Sequence, residues 1–224
     1  MPSHPAPAVI PVFPLTGTLL LPGNWLPLNI FEPRYRNMVA DAMAGSRHIG
    51  MIQPFVAQQD NWPALEEPPQ NPELYTVGCA GRIARCEPQP DGRYLIVLKG
   101  ISRFRVREEL PLVRGYRRVQ ADYGEFAGDL LEPEAPLDPA RLLHAVRAYA
   151  KANSLELDID MLAALPGVAL LNGLAVALPF HPAERQALLE APGSSEREEL
   201  LLALLGMGLD PPPPGGYPAP PTVH

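Results

Sequence analysis

The sequence predicts an α+β chain in which a small strand-built body precedes a helical one. Its first half repeats short β-branched and aromatic runs ended by Pro, Gly or Asp. Its second half places apolar residues at three- and four-residue spacing between helix-capping residues. Residues 124–139, rich in Gly, Pro and Asp, separate the two. The expected division is a β body over 1–123, a helical part over 124–209 and a proline-rich disordered tail over 210–224. With 224 residues and 46% hydrophobic side chains, the chain can bury a sizeable core.

In chain order, Val9–Phe13 reads as a first or edge strand bounded by prolines, Thr18–Leu21 as an apolar stretch ended by Pro22-Gly23, and Leu26–Ile30 as a short strand. The period then changes: Phe31, Tyr35, Met38, Val39, Ala42 and Met43 mark a helix with Pro33 in its first turn and Gly45 past its end. His48–Gln53 returns to strand, and residues 54–73 form a proline-broken loop. Strands follow at Tyr75–Cys86, Arg93–Lys99, Arg103–Glu108 and Arg114–Tyr123, with Asp91-Gly92 as a turn, so seven short strands and one helix suggest a small barrel or paired sheets. Asp138-Pro139 opens a helix whose apolar face is Leu142, Val146, Tyr149 and Ala150. Asp158 or Asp160 caps Met161–Leu165, Ala169–Leu178 is apolar nearly all round, and Pro182 opens a helix to Glu190. Ser195 to Glu198 reads as a capping box before Glu199–Leu205.

Composition excludes several classes. No apolar stretch approaches the about 20 residues of a membrane span. The two cysteines, Cys79 and Cys86, with no export signal ahead of them, read as reduced thiols of a cytoplasmic protein. The five histidines are scattered, and no local spacing builds a metal site. No phosphate-cradling Gly-Lys-Ser/Thr loop and no G-x-S-x-G elbow is present. Cys79 alternates within a strand pattern and reads as a small buried residue rather than a nucleophile. The reading is a non-enzyme without a cofactor.

The net charge of −7 is uneven: −3 over residues 1–81, +6 over 82–118 and −10 over 119–224. A basic stretch can attract nucleic acid, and Arg103, Arg105 and Arg107 alternate so as to share one strand face.

The segments PVFPLTGTLLLPGNWLPLNIFEPRYRNMVADAM, YTVGCAGRI and DGRYLIVLKGISRFRV, with the helical LLNGLAVALPFHPAERQALLE, resemble the Lon N-terminal (substrate-binding) domain family over about residues 9–206. The most specific pieces are Phe13-Pro14-Leu15, Leu21-Pro22-Gly23, the run Phe31-Glu32-Pro33-Arg34-Tyr35, and Gly100 with Arg103-Phe104. The resemblance implies a PUA-like β pseudo-barrel with an embedded helix and a helical bundle after it. It implies a stand-alone member without ATPase or peptidase, a module that binds unfolded or exposed polypeptide segments, and an adaptor for a protease or chaperone. Phe13, Leu15, Leu21, Phe31 and Tyr35 are expected to pack barrel against helix, and Glu32 and Arg34 to pair with the strands. Trp25, Phe55, Trp62 and Tyr75, aromatics in turns and the long loop, are the expected polypeptide contacts. Nucleic-acid binding through the arginines of 82–118 is the alternative.

Overall fold

The computed structural model describes residues 6–55, 71–131 and 137–209. The chain separates into two compact units, Met1–Glu132 and Pro133–His224. The first is built from β1 (Val9–Pro14), β2 (Trp25–Ile30), α1 (Pro33–Ala44), β3 (His48–Ile52), β4 (Val77–Pro88), β5 (Tyr94–Val113) and β6 (Tyr116–Asp122), closed by a 3₁₀ turn at Gly124–Leu130.

The sheet order is β2-β5-β4-β3-β1-β6, and β6 pairs again with the second half of β5. Five strands therefore close on themselves, and β2 stays outside as an edge. The two expected strands Arg93–Lys99 and Arg103–Glu108 are one 20-residue strand, β5. It first pairs with β2, then reaches β6 beyond Arg105. A strand this long serves both ends of the barrel because irregularities in its pairing with β4 and β6 let it bend. β1 and β3 run parallel, and such a pair needs a crossover, which passes through α1.

Two glycines explain how the ring closes so tightly. A Cβ on Gly78 would stand 2.6 Å from the Phe104 ring, and one on Gly50 2.9 Å from it. Phe104 fills this space and sits fully buried among Ile10, Val12, Ile52, Ala80, Val119 and Ala121. At the other end, the turn at Leu21-Pro22-Gly23 presses on β5: a Cβ on Gly100 would lie 2.1 Å from the Leu21 carbonyl oxygen. Gly23 donates to the Gly100 carbonyl at 3.0 Å, Gly100 donates to the Asn24 carbonyl at 2.8 Å, and Gly23 itself has φ +83°. The apolar stretch Thr18–Leu21 is thus a loop, buried from Leu19 onward and clamped to β5.

The second unit contains α2 (Pro139–Ala152), α3 (Ile159–Ala163), α4 (Gly167–Ala177), α5 (Pro182–Glu190) and α6 (Ser194–Met207). Asp138 caps α2 by accepting from the Arg141 N–H at 3.0 Å, and Leu142, Val146, Tyr149 and Ala150 form its buried face. Asp158 caps α3, and His181 with Glu184 forms a capping box on α5. α6 starts earlier than its expected Ser195 cap: Gly193 is the N-cap and makes no side-chain bond. Arg185 donates to the carbonyls of Val176, Leu178 and Phe180, satisfying the end of α4 that Pro179 leaves open. Arg197 is buried, bonded to the Leu188 carbonyl at 2.9 Å and to Asn172 at 3.2 Å.

Candidate functional site

A cleft of about 640 Å³ opens where α1, the β5–β6 hairpin and the neck of the 54–73 loop converge. The hairpin turns on Arg114 and Gly115, with φ of 48° and 88°, between the paired Val113 and Tyr116. Two successive positive φ values suit the twist of a two-residue hairpin. The turn is pinned to α1: the Arg114 guanidinium meets Asp41 at 2.5 Å and Asn37 at 2.9 Å, and Asn37 returns a bond to the Arg114 carbonyl at 3.0 Å. The Tyr116 hydroxyl donates to Asp41 at 3.0 Å. Burial first, and that bond second, push the Tyr116 phenol above its ordinary range, so it stays protonated and donating.

The opposite wall is the neck. Pro54 bridges Leu74, Phe55 donates to the Glu73 carbonyl at 2.6 Å, and Tyr75 donates to the Gln53 carbonyl at 3.0 Å. Arg117 ties neck to barrel by donating to the Pro72 carbonyl at 2.6 Å while its other nitrogens hold Glu109. On the floor, the Tyr35 and Phe13 rings meet at a 46° tilt with centres 4.3 Å apart, and burial raises the Tyr35 phenol pKa as well. Pro14, Tyr35, Pro54, Pro72, Leu112 and Tyr116 give the cleft an apolar and aromatic lining, with Arg34 and Arg117 as its cations. Leu112 is 51% exposed at the rim.

The expected site residues do not form one group. Phe55 and Tyr75 meet edge to face at 5.2 Å on the neck whose Pro54 and Pro72 line the cleft. Trp25 lies elsewhere, on β2 opposite Lys99, whereas the neck joins β4 at the level of Arg105. Six residues of β5 separate those levels, roughly 20 Å along a strand. Trp62 lies outside the described residues. Leu112, Tyr116 and Arg117 had no sequence motif to single them out; the Arg114-Gly115 turn was the signal that could have placed them.

The motif residues divide by position. Pro14, Arg34 and Tyr35 line the cleft, and Pro22, Gly23 and Gly100 make the clamp on β5. Pro33 occupies the first turn of α1. Phe31 departs from the expectation: it precedes α1, is 62% exposed and packs no barrel against helix. Glu32 and Arg34 pair with each other at 2.9 Å.

Arg103, Arg105 and Arg107 do not form a free basic face. Arg103 is buried and held by Asp129, with its guanidinium 4.5 Å from the Phe126 ring centre. Arg105 pairs with Glu125 and Arg107 with Asp122. Bonds from the Gly124 N–H and then Arg107 hold the Asp122 carboxyl below its usual range, and Arg105 does the same for Glu125. Among the described residues no cluster of three or more His, Cys, Asp and Glu could hold a metal, and no helix is long and apolar enough to cross a membrane.

Residues 9–206 match the family model of the ATP-dependent protease La (LON) substrate-binding domain. Lon protease 2 of Myxococcus xanthus is 27% identical over 215 residues, covering 89% of this chain and 24% of that protein. The Lon protease of Xanthomonas oryzae is 27% identical over 214 residues, covering 93% of this chain and 24% of that one. The chain thus spans about a quarter of the length of these curated relatives. A crystal structure of a Lon N-terminal domain protein from Xanthomonas campestris superposes with a TM-score of 0.57 at 26% identity, covering 87% of this chain and 97% of that one. The N-terminal domain of a Mycobacterium avium complex Lon protease shares the fold, with a TM-score of 0.60 at 19% identity over 88% of this chain and 98% of that one.

Proposed function

This chain belongs to the Lon substrate-binding domain family, and on that premise we propose that it is a non-enzymatic module that captures extended, partly apolar polypeptide segments in the cleft between α1 and the β5–β6 hairpin. The single observation that carries the reading is convergence. The motif residues Pro14, Arg34 and Tyr35, the exposed Leu112, and Pro54 and Pro72 of the neck that also carries the Phe55–Tyr75 pair all line one apolar opening.

The mechanism needs no bond to be made or broken and no cofactor. An apolar side chain leaving water for the walls of Pro14, Tyr35 and Leu112 contributes roughly 1.5–3 kcal/mol before the ordering of the peptide is subtracted. Two or three such side chains give weak, sequence-tolerant binding, which suits a receptor for unfolded chains. Arg34 donates to a peptide carbonyl, and the Tyr116 oxygen, whose proton is held by Asp41, accepts from a peptide N–H, which orients the backbone. Delivery of the captured segment to a protease or chaperone is the role in which such a module is used. No observation favours nucleic acid, because the arginines of its expected face are spent on carboxylates.

The test is fluorescence anisotropy of a labelled, permanently unfolded protein against the full chain, at low and high salt. Saturable binding that survives salt, and that Leu112→Asp or Phe55→Ala weakens about tenfold, is the expected result. Mass spectrometry of the probe, incubated with and without ATP, should show it uncut. Absence of binding, or binding indifferent to both substitutions, overturns the reading.

A further inference from the structure

Seven of the ten basic residues in 82–118 hold a carboxylate: Arg85, Arg93, Arg103, Arg105, Arg107, Arg114 and Arg117. Arg118 is 7 residues along from the Pro111 carbonyl to which it donates. Arg82 and Lys99 are different. They stand directly opposite each other in the β4–β5 ladder, both exposed, and neither forms an ion pair among the described residues. Like charges directly opposite on a sheet face are destabilising, so this placement costs the free protein something that an anion would relieve.

Apolar surface surrounds the two charges. Trp25 is opposite Lys99 on β2, 57% exposed, with the Lys99 ammonium 5.5 Å from its ring centre. Next along the same face come Pro27 opposite Val97, then Asn29 opposite Leu95, which is 42% exposed. The irregularity in β4 between Ile83 and Arg85 turns Arg85 and Glu87 onto this face, where they pair with Val97 and Leu95. Without it, alternation from Arg82 would have presented Ala84 and Cys86. A groove of about 430 Å³ runs between Pro27, Leu95 and Val97, with Arg85 and Glu87 on its far wall. It shares no lining residue with the cleft at the β5–β6 hairpin.

We propose that this outward face of β2, β5 and β4 docks an acidic, partly apolar polypeptide segment. One carboxylate of the segment sits between Arg82 and Lys99 and relieves their repulsion. A neighbouring apolar side chain covers Trp25 and Pro27 and enters the groove against Leu95 and Val97. A second carboxylate takes Arg85, whose bond to Glu87 at 2.7 Å is exposed and readily shared. The segment lies on the face rather than extending the sheet, because Pro27 removes a donor from β2 and proline on an edge strand opposes strand addition. The partner is thus selected by side chains of alternating acidic and apolar character.

The experiment uses the full chain and two labelled peptides, one alternating Glu with Leu and Phe, the other with Lys for each Glu. The acidic peptide should saturate and weaken with salt, and its Lys twin should bind about tenfold less tightly. R82E/K99E should reverse that order, and Trp25→Ala should weaken the acidic peptide about fivefold. R82Q/K99Q removes charge without reversing it, so it should weaken the acidic peptide and raise the melting temperature. In a Leu112→Asp background, where capture at the cleft is lost, the acidic peptide should still be preferred and R82E/K99E should still reverse the order, so the two sites fail separately. Equal binding of the two peptides, indifference to R82E/K99E, or displacement of the acidic peptide by a single-stranded RNA of equal length would each overturn the proposal.

Discussion

Replacing Asp129 by Ala isolates the energetics of the most buried ion pair among the described residues of the barrel unit. Arg103 is 3% exposed and Asp129 8% exposed at the side chain. The carboxylate accepts from the Arg103 backbone N–H at 2.8 Å, from Nε at 2.9 Å and from Nη2 at 2.7 Å, while Phe126 lies 4.5 Å below the guanidinium. Truncation leaves a buried cation and a buried backbone donor without their acceptor. Breaking such a pair costs about 3–5 kcal/mol. With a urea dependence of about 2 kcal/mol per molar, the midpoint should fall by roughly 2 M. Tryptophan fluorescence reads this selectively, because both tryptophans, Trp25 and Trp62, belong to the first unit. A midpoint shift below about 0.5 M would refute the assignment of the 3₁₀ turn to β5 through this carboxylate. The double variant R103M/D129L should recover most of the loss, since apolar replacements of similar volume leave no charge to compensate.

Gly100→Ala forces a methyl to within 2.1 Å of the Leu21 carbonyl oxygen, so the clamp must open and stability should drop by about 3 kcal/mol, read as a lower urea midpoint. Thermal melting between pH 5 and pH 2.5 should report Asp122 and Glu125. Their folded carboxyls are held below the unfolded value, so their contribution is complete above about pH 5 and is lost as pH falls through the lower, folded range. D122N/E125Q should show a shallower acid slope than the parent, and an identical slope would refute that linkage.

Local signals were legible wherever a short stretch of chain satisfies itself. Pro33 at the start of α1, Asp138 before α2 and His181-Pro182 before α5 all act within one helical turn. The apolar spacing of Tyr35, Met38, Val39 and Ala42 likewise became a buried face. What failed to show depends on partners distant in sequence. Thr18–Leu21 shows in sequence only as an apolar stretch; its role as a clamp depends on the glycines of β4 and β5 against which it packs. Gly100 and Ser102 look like a break in β5, yet the small residue is what allows the strand to run on beneath that clamp. Phe31 follows the helical spacing of α1 but precedes the helix, and its ring faces solvent. The cleft itself was invisible, because its walls come from the ends of β1, α1, β5 and β6 and meet only when Arg114 and Arg117 tie them together.

The same dependence on distant partners changes what the charge pattern means. A run of +6 over 37 residues reads, in one dimension, as a surface for an anionic polymer. In the barrel the acidic residues that follow the run return to it: Asp122, Glu125 and Asp129 fold back onto Arg107, Arg105 and Arg103 in reverse order, as an antiparallel return of the chain requires. That arrangement converts most of the positive charge into internal and rim pairing, leaving no continuous track for a phosphate backbone. Apart from Arg118, which donates to the Pro111 carbonyl, the remainder lies at Arg82 and Lys99, beside Trp25 and above an apolar groove. Two cations beside an indole and a proline are too few to hold a nucleic acid by counterion release. They are enough to select, among apolar segments of comparable affinity, those that carry a carboxylate at the right spacing.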